Sequence, residues 1–377
     1  MDTNIETKVD FKPRQSLGLN YRRTLRDKPT KHRAEFGNNG HNMNTHKEPR
    51  VFKKVLVVGL GQLGLPVAKY LVDRGFDTYG YDIDNSAVER AERIASVRKA
   101  TNFNDIDVFI ICVSTHKPED MFSPQVDGLL SVIKEISSGA KNGALVSIES
   151  TVPKGTSKRV FEMLNHRLHV AHVPHRFYSL EEEDHGINQL RVIGGVCDCC
   201  LKNAVQFYGY PADSVESVIV NSKEGSCNSI VLQGNTAYGT NNMARNSCLE
   251  NAKGLGIPLH PVSNIEIAEI SKIAENAHRY LQIAFAEDLY LYCQANEINF
   301  SELREALNTK WNVNILEPRD GIGGHCLPKD TKMFLQSSKS PNKSKILTAA
   351  LEVDHTYREY RQEKNIAMKL KSGNLIS

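Results

Sequence analysis

The residues best suited to covalent chemistry lie in one glycine-rich stretch, GIGGHCLPKD, at positions 321–330. Glycine lets a backbone come close to a ligand, so Cys326 in this stretch is a metal ligand, a small buried filler or a nucleophile. A nucleophilic thiolate adds to an aldehyde, the thiohemiacetal loses hydride to give a thioester, and water then releases an acid. Such chemistry calls for a depressed thiol pKa. We favour the nucleophile, because fillers rarely lie in so bare a turn.

A second group of polar residues lies in a stretch that contains neither glycine nor proline. Lys272 and Asn276 are four residues apart, so they share one face if the stretch is helical. An ammonium and an amide on that face would stabilise the oxyanion that forms when a thiolate adds to a carbonyl. Asp330 would orient a water molecule or the lysine. The alternative is that Lys272 and Asn276 are ordinary solvated residues of a helix surface.

A third group has the spacing of a dinucleotide-binding turn. VVGLGQLG places Gly59, Gly61 and Gly64 between an apolar run and a helical pattern, and Asp82 ends the next predicted strand, in DTYGYDID. In such turns the first glycine makes the bend, the second admits the pyrophosphate and the third lets the helix pack on the strand. The acid binds the ribose 2′-hydroxyl, so an aspartate here favours NAD over NADP. A plain glycine-rich strand-to-helix turn is the alternative.

These groups must be positioned by strands that alternate with helices. KVLVVGL predicts a buried parallel strand and GLPVAKYLVDRG an amphipathic helix. Apolar runs at 106–114, 143–151, 168–174 and 189–195 predict further strands. We therefore expect an α/β fold, a Rossmann-type doubly wound parallel sheet followed by a helical central and dimerisation domain.

Past residue 265 the pattern becomes helical, and it predicts one helix of about 30 residues, well above the mean length. Such helices serve as a spine between domains or as a dimer seam, so we expect a homodimer. The predicted parts of the chain are a disordered basic tail (1–50), an NAD-binding Rossmann domain (51–208), an insertion or disordered loop (209–247) and a helical central domain (248–370).

Composition excludes several classes of protein. The 377 residues suffice for two domains, and 40% hydrophobic and 24% charged residues are ordinary for a soluble protein. No apolar run has the length of a membrane span, and the first residues lack a secretory signal. Eight scattered cysteines indicate a reducing, cytoplasmic location. Residues 1–50 hold eleven Lys and Arg against six Asp and Glu, so the body is nearly neutral and predicts no nucleic-acid partner.

One cysteine cluster has spacing close to that of metal ligands. Residues 197–200 read CDCC. A structural zinc site needs four ligands, and no second pair of cysteines or histidines follows at ligand spacing. We interpret the cluster as a coincidence at the start of a helix and predict no metal.

Together, the motifs resemble those of the nucleotide-sugar 6-dehydrogenases, the UDP-glucose/GDP-mannose dehydrogenase family. VGLGQLGLPVA with YDID is similar to the family's cofactor turn, and ICVST and IESTVPKGT resemble the segments that follow it. EISKIAENAHRYLQIAFAEDL resembles the central helix, with the lysine and asparagine in register. NVNILEPRDGIGGHCLPKD resembles the nucleophile loop, closest to that of the UDP-N-acetylmannosamine dehydrogenase branch.

The resemblance implies a role for each matching position. Cys326 would hold the thiohemiacetal and thioester, and Lys272 and Asn276 would stabilise the oxyanion. Asp330 would assist the lysine and the hydrolytic water, and Thr151 would hold the water network. Residues expected to line the cofactor are Val113, Ser114, Thr115 and Ser150. Residues expected to bind substrate are His175, Arg176, Lys310, Gly323 and Gly324. The implied reaction oxidises a sugar C6 alcohol to a carboxylate with two NAD⁺ and one water.

The chain departs from the family pattern in three places. His175 stands where the family has a substrate-directed glutamate, and EEED at 181–184 is another source of a carboxylate. Arg319 and Asp320 replace small residues. Family members continue with a third α/β domain that binds the nucleotide, whereas this chain stops at Ser377. The alternatives are therefore an NAD(H)-binding regulatory module, a two-electron hydroxyacid-type dehydrogenase, or UDP-glucose or GDP-mannose as the substrate.

Overall fold

The computed structural model describes residues 51–117, 119–177, 186–209, 254–338 and 344–373. The predicted tail at 1–50, all of the predicted insertion at 209–247 except Gly209, and the EEED stretch lie outside the described residues.

Six of the ten described strands lie within the stretches that predict them, and the other four were not predicted. The described strands are β1 (Lys54–Val58), β2 (Asp77–Tyr81), β3 (Arg98–Lys99), β4 (Val108–Ile111), β5 (His116–Lys117), β6 (Asp120–Pro124), β7 (Leu145–Ile148), β8 (His169–His172), β9 (Arg191–Gly195) and β10 (Leu259–Pro261). Eight of these described strands form one sheet in the order β10-β9-β8-β7-β4-β1-β2-β3, and β5 pairs with β6.

The helices cover both faces of the sheet and extend beyond it. They are α1 (Gly64–Asp73), α2 (Asn85–Ala95), α3 (Asp127–Gly139), α4 (Thr156–Met163), α5 (Asp198–Tyr208), α6 (Ile265–Ala295), α7 (Phe300–Asn308), α8 (Cys326–Ser337) and α9 (Lys345–Gly373). The predicted helix of about 30 residues is confirmed as α6, which has 31.

The sheet is doubly wound, with helices packed on both of its faces. Successive side chains of each strand point to opposite faces, so each face has its own apolar cluster. Val55 and Val57 of β1 belong to one buried apolar cluster, which also contains residues of α1, α2 and α5. Leu56 and Val58 belong to a second cluster on the other face, with residues of α3 and α4. The predicted Rossmann-type fold is thus confirmed. One pair differs from the expected parallel sheet, because β8 and β9 are antiparallel, an arrangement that needs no helical crossover.

The long helix α6 is attached to the sheet layer by a carboxylate. Glu269 is fully buried and accepts hydrogen bonds from the main-chain nitrogens of Gly155 and Ser157, at 2.6 and 2.7 Å. These amides lie at the start of α4, where the first N–H groups have no partner inside the helix and the helix dipole favours a negative charge. Glu269 therefore holds the first third of α6 in place.

The glycine-rich stretch is attached to α9 through another acid. Asp354 accepts hydrogen bonds from the main-chain nitrogen of Ile322, at 2.8 Å, and from the hydroxyl of Tyr280 on α6, at 3.0 Å. Tyr280 and Ile322 also share a buried apolar cluster with Ala284 and Ala350. The loop before Cys326 is thus fixed between α6 and α9.

Within the described part of the chain, the search for a helix with both the length and the apolar character of a membrane span found none.

Candidate active site

Cys326 is the first residue of α8 and follows His325, which caps the helix. The sequence analysis placed this cysteine in a loop, and the structure corrects that expectation, since only the glycines before it lie outside the helix. Pro328 in the first turn is compatible with a helix because the first N–H groups have no intrahelical acceptor. Gly324 has φ +71° and makes the turn into the helix.

A continuous chain of hydrogen bonds joins α6, α8 and the carboxyl ends of two strands. Asn276 on α6 donates to Asp330, which also accepts from the ammonium of Lys329 at 2.5 Å. Lys329 donates in addition to the hydroxyl of Thr115, at 3.2 Å. Thr115 in turn donates to the main-chain oxygen of Thr151, at 2.7 Å. The chain brings together four predicted site residues and one, Lys329, to which the sequence analysis gave no role.

The charges around the Cys326 sulfur oppose one another. Burial, followed by the negative charge of Asp330, raises the pKa of Cys326, whereas Lys329 and Lys272 act to lower it. Burial lowers the pKa of Lys272, against the nearby charges of Glu275 and Asp330. Each of these two groups thus acts on the charge of the other, and the predicted contact between Lys272 and the thiol remains a prediction. The depressed thiol pKa that we expected is not found, so the sulfur keeps its proton near neutral pH.

One histidine beside the thiol, and a second histidine that contacts the first, were not among the predicted site residues. The Nε2 atom of His325 lies 3.6 Å from the sulfur of Cys326, and its ring makes an edge contact with His116 of β5, with centroids 5.4 Å apart. Burial, then the charges of His116 and Lys329, lower the pKa of His325. A neutral imidazole can accept a proton from the thiol. The one signal in the sequence that could have indicated His325 is that it directly precedes Cys326.

The predicted dinucleotide turn has the close approaches that its glycines require. Gly59 has φ +86°, and a Cβ there would lie 2.7 Å from the main-chain oxygen of Cys112. A Cβ on Gly64 would lie 1.7 Å from the main-chain oxygen of Gly59, whereas nothing lies within 4 Å of a Cβ on Gly61. Asp82 accepts from the main-chain nitrogen of Leu60, at 2.7 Å. The open space at Gly61 and the acid beside the turn fit a pyrophosphate and a ribose.

The two glycines should separate folding from binding when each is changed to alanine. Gly64→Ala forces the first turn of α1 away from β1, so we expect a loss of roughly 3 kcal/mol in the free energy of unfolding. Gly61→Ala meets no protein atom and should leave stability within about 0.5 kcal/mol of wild type. Its methyl group occupies pyrophosphate space, so NADH affinity should fall at least about tenfold.

Denaturant unfolding and fluorescence titration with NADH measure the two effects. Wild-type NADH affinity in Gly61→Ala would show that the turn does not carry the pyrophosphate.

The other predicted cofactor residues follow β4 and β7 at the carboxyl edge of the sheet. Ser150 is buried, and its hydroxyl donates to the main-chain oxygens of Ile111 and Val113, at 3.2 and 2.7 Å. Ser114 is exposed, and Thr151 is half-buried. The hydroxyl of Ser150 thus braces the end of β4, while Ser114 faces outward from the same edge. Their contacts with a cofactor remain predictions.

His175 belongs to a buried polar network next to this edge. Its Nε2 is bonded to Glu149, which also accepts from Arg191, at 3.1 Å, and from the hydroxyl of Tyr208. Burial lowers the pKa of His175 to about 4. Burial alone would raise the pKa of Glu149, but the charges of His175 and Arg191 and its hydrogen bonds lower it to about 2. His175 therefore donates its Nε2–H to an ionised Glu149, a residue that was not among the predicted ones.

The remaining predicted substrate residues lie at different distances from the cluster formed by Cys326 and the hydrogen-bonded chain from Asn276 to Thr151. Arg176 forms an ion pair with Glu275, one residue before Asn276 on α6. Gly323 and Gly324 are exposed, with nothing within 4 Å of an added Cβ. Lys310 is exposed and follows the end of α7, where its main chain bonds to Leu307 and Val313. None of the contacts described for Lys310 joins it to the cluster, and its substrate role remains a prediction.

Comparison with known proteins matches two parts of the chain to one family. Residues 91–210 match the NAD binding domain of the UDP-glucose/GDP-mannose dehydrogenase family, and residues 266–356 match its central domain. The two matches together span more than half of the chain. The glycine turn precedes the first matched residue.

Curated relatives and solved structures agree with this assignment. The UDP-N-acetyl-D-mannosamine dehydrogenase of Campylobacter jejuni is 28% identical over 85% of this chain and 75% of its own length. The protein of that name from Methanococcus maripaludis is 26% identical over 82% of this chain and 66% of its own length. The chain thus spans about two thirds to three quarters of these relatives. The UDP-D-ManNAc dehydrogenase structure from Pyrococcus horikoshii, 23% identical, has a TM-score of 0.63 over 85% of this chain and 72% of its own and supports the fold.

The chain belongs to the UDP-glucose/GDP-mannose dehydrogenase family, whose members are NAD-dependent oxidoreductases that act on nucleotide sugars.

Proposed function

We propose that the chain is a nucleotide-sugar 6-dehydrogenase that oxidises the C6 alcohol of a UDP-sugar to a uronate through a thiohemiacetal and a thioester on Cys326. UDP-N-acetylmannosamine is the proposed substrate, because the relatives described above carry that name. Each turnover converts one alcohol and one water to a carboxylate and three protons, with two NAD⁺ reduced to NADH.

One observation carries the proposal. The hydrogen-bond chain from Asn276 through Asp330 and Lys329 to Thr115 joins the helix that begins with the thiol to the strand ends where a dinucleotide binds. A purely structural cysteine needs no such connection. A nucleophile that passes hydride to a nicotinamide requires its sulfur to be held at a fixed distance from the cofactor edge of the sheet.

The side chains present can perform the protein's part of the reaction. His325 accepts the thiol proton as the sulfur of Cys326 attacks the aldehyde carbon. The ammonium of Lys272 and the amide of Asn276 stabilise the oxyanion. Asp330 keeps the Asn276 amide and the Lys329 ammonium oriented, and a water held near Thr151 attacks the thioester carbonyl.

NAD supplies the hydride acceptor when it is bound. The turn of Gly59, Gly61 and Gly64 would admit its pyrophosphate at Gly61, Asp82 would accept a hydrogen bond from a ribose hydroxyl, and Val113, Ser114, Thr115 and Ser150 would line the cofactor. His175 and Arg176 lie against α6 from the neighbouring strand end, and Lys310, Gly323 and Gly324 complete the proposed substrate contacts.

Incubation of the full chain with NAD⁺ and one sugar nucleotide at a time tests the activity. The candidates are UDP-N-acetylmannosamine, UDP-N-acetylglucosamine, UDP-glucose and GDP-mannose. We expect two NADH per sugar from one of them, with UDP-N-acetylmannosamine giving the highest kcat/KM. Release of one NADH per sugar contradicts the thioester route. NADH binding without turnover of any of the four favours the regulatory module.

A homodimer and a cytoplasmic location are also part of the proposal. α6 exposes Ile267, Phe285 and Tyr292, large apolar side chains of the kind that helix seams cover. The six cysteines among the described residues are free thiols, as a reducing compartment would keep them. A solution mass equal to one chain by light scattering would contradict the dimer.

A further inference from the structure

Three thiols and an imidazole converge at the start of α5. The sulfur of Cys197 lies 2.9 Å from that of Cys199 and 3.2 Å from that of Cys200. A ring nitrogen of His169, the first residue of β8, and the sulfurs of Cys199 and Cys200 all lie within 4.8 Å of one another. The sequence spacing showed three potential ligands, and the fold brings a fourth from a residue 28 positions before the first cysteine.

The antiparallel pairing of β8 and β9 creates this convergence. β9 ends at Gly195, the main-chain nitrogen of Val196 donates to Val170 at 3.1 Å, and α5 then begins beside the first residues of β8. The main-chain nitrogen of Val170 donates to the sulfur of Cys200, at 3.3 Å. An N–H group directed at a sulfur stabilises a thiolate, which is the form that binds metals.

The chemistry of the cluster suits a soft divalent cation. Two of its cysteines lie in the first turn of α5 and the third caps it, where the helix dipole favours negative charge. Three thiolates and one imidazole form a tetrahedral set typical of structural zinc.

We propose that His169, Cys197, Cys199 and Cys200 bind one Zn²⁺ ion in a tetrahedral site that clamps α5 to the start of β8. Zinc–sulfur bonds of about 2.3 Å separate two sulfurs by roughly 3.8 Å, so the thiols must open by somewhat less than about 1 Å. Cys197 and Cys199 are exposed, so little packing opposes a rotation of their side chains, whereas His169 and Cys200 are buried.

The site is separate from the proposed nucleophile. β8 is parallel to β7, and His169 pairs with Leu145 at the amino end of that strand. The dinucleotide turn and the Thr115–Lys329 contact lie at the carboxyl ends of β1 and β4, on the opposite edge of the sheet. The metal therefore has a structural role, and its binding should not depend on Cys326.

Cobalt binding to the full chain tests the proposal. After metal is removed with a chelator under reducing conditions, Co²⁺ should bind one per chain, with a thiolate-to-cobalt charge-transfer band and the intense visible bands of tetrahedral cobalt. One equivalent of Zn²⁺ should abolish both. We expect Cys326→Ser to give the same spectrum.

Two exposed-site variants, Cys199→Ser and Cys197→Ser, should each weaken Co²⁺ binding at least tenfold while the far-ultraviolet circular dichroism of the chain is retained. His169→Gln should remove the nitrogen ligand and shift the charge-transfer band. A cobalt spectrum without thiolate bands, or unchanged affinity in Cys199→Ser, overturns the site. So does mass spectrometry that finds a Cys197–Cys200 disulfide persisting in the reducing buffer instead of a metal complex.

Discussion

Cys326→Ser should lower the rate of uronate formation by on the order of 10³-fold or more, because loss of a covalent nucleophile removes the thioester route. The hydroxyl that replaces the thiol is a far weaker nucleophile at neutral pH. Neighbouring groups shield the sulfur from part of the solvent, but the residue as a whole is exposed at the first position of α8, so the substitution removes no core contact. Product analysis by chromatography and NADH absorbance measure the loss.

NADH affinity and the thermal midpoint of Cys326→Ser serve as its controls. Both should equal those of wild type, since the glycine turn and Asp82 are untouched. Full uronate production by this variant would show that the sulfur has no covalent role, even if the chain still oxidises sugars. Loss of NADH binding would instead show that the substitution disturbs the cofactor edge.

Asp330→Ala should destabilise the fold by about 3–5 kcal/mol, the usual cost of leaving one partner of a buried ion pair alone. Asp330 and Lys329 are 1% and 4% exposed, and the pair is shielded from water. Among the described residues, the variant leaves Thr115 as the remaining acceptor for the Lys329 ammonium, and it leaves the Asn276 amide without its carboxylate. Denaturant unfolding measures the change.

The exposed pair Lys69–Asp73, at 2.8 Å, provides a matched control. Asp73→Ala should cost less than about 1 kcal/mol, because both side chains are solvated. The double variant Asp330→Asn with Lys329→Met removes both buried charges and should be more stable than Asp330→Ala. Equal losses in Asp330→Ala and Asp73→Ala would contradict the buried pair.

The fold followed from patterns that are local in sequence. The apolar run before Gly59, the helical pattern from Gly64 and the strand pattern that ends near Asp82 each include the whole element that they predict, so local patterns were enough to place β1, α1 and β2. The length of α6 followed in the same way, since nothing between residues 265 and 295 breaks a helix.

The candidate site could be predicted only in part, because many of its contacts join residues that are far apart in sequence. Cys326, Lys272, Asn276 and Asp330 were found through motifs, whereas Lys329 attracted no role because its partner Thr115 is 214 positions away. The buried state of His175, its contact with Glu149 and the raised pKa of Cys326 depend on burial, which no spacing in the sequence encodes.

The sequence alone predicted the strand and helix order of the doubly wound sheet, the dinucleotide turn and the candidate residues Cys326, Lys272 and Asn276, because each is recognisable in a short stretch of the chain. Only the tertiary structure decided what surrounds them: the ammonium that links α8 to the strand ends, the histidine beside the thiol, and the imidazole of His169 that completes the CDCC cluster. These contacts join segments that are far apart in sequence, and they form only when the strands are arranged in the observed order of the sheet.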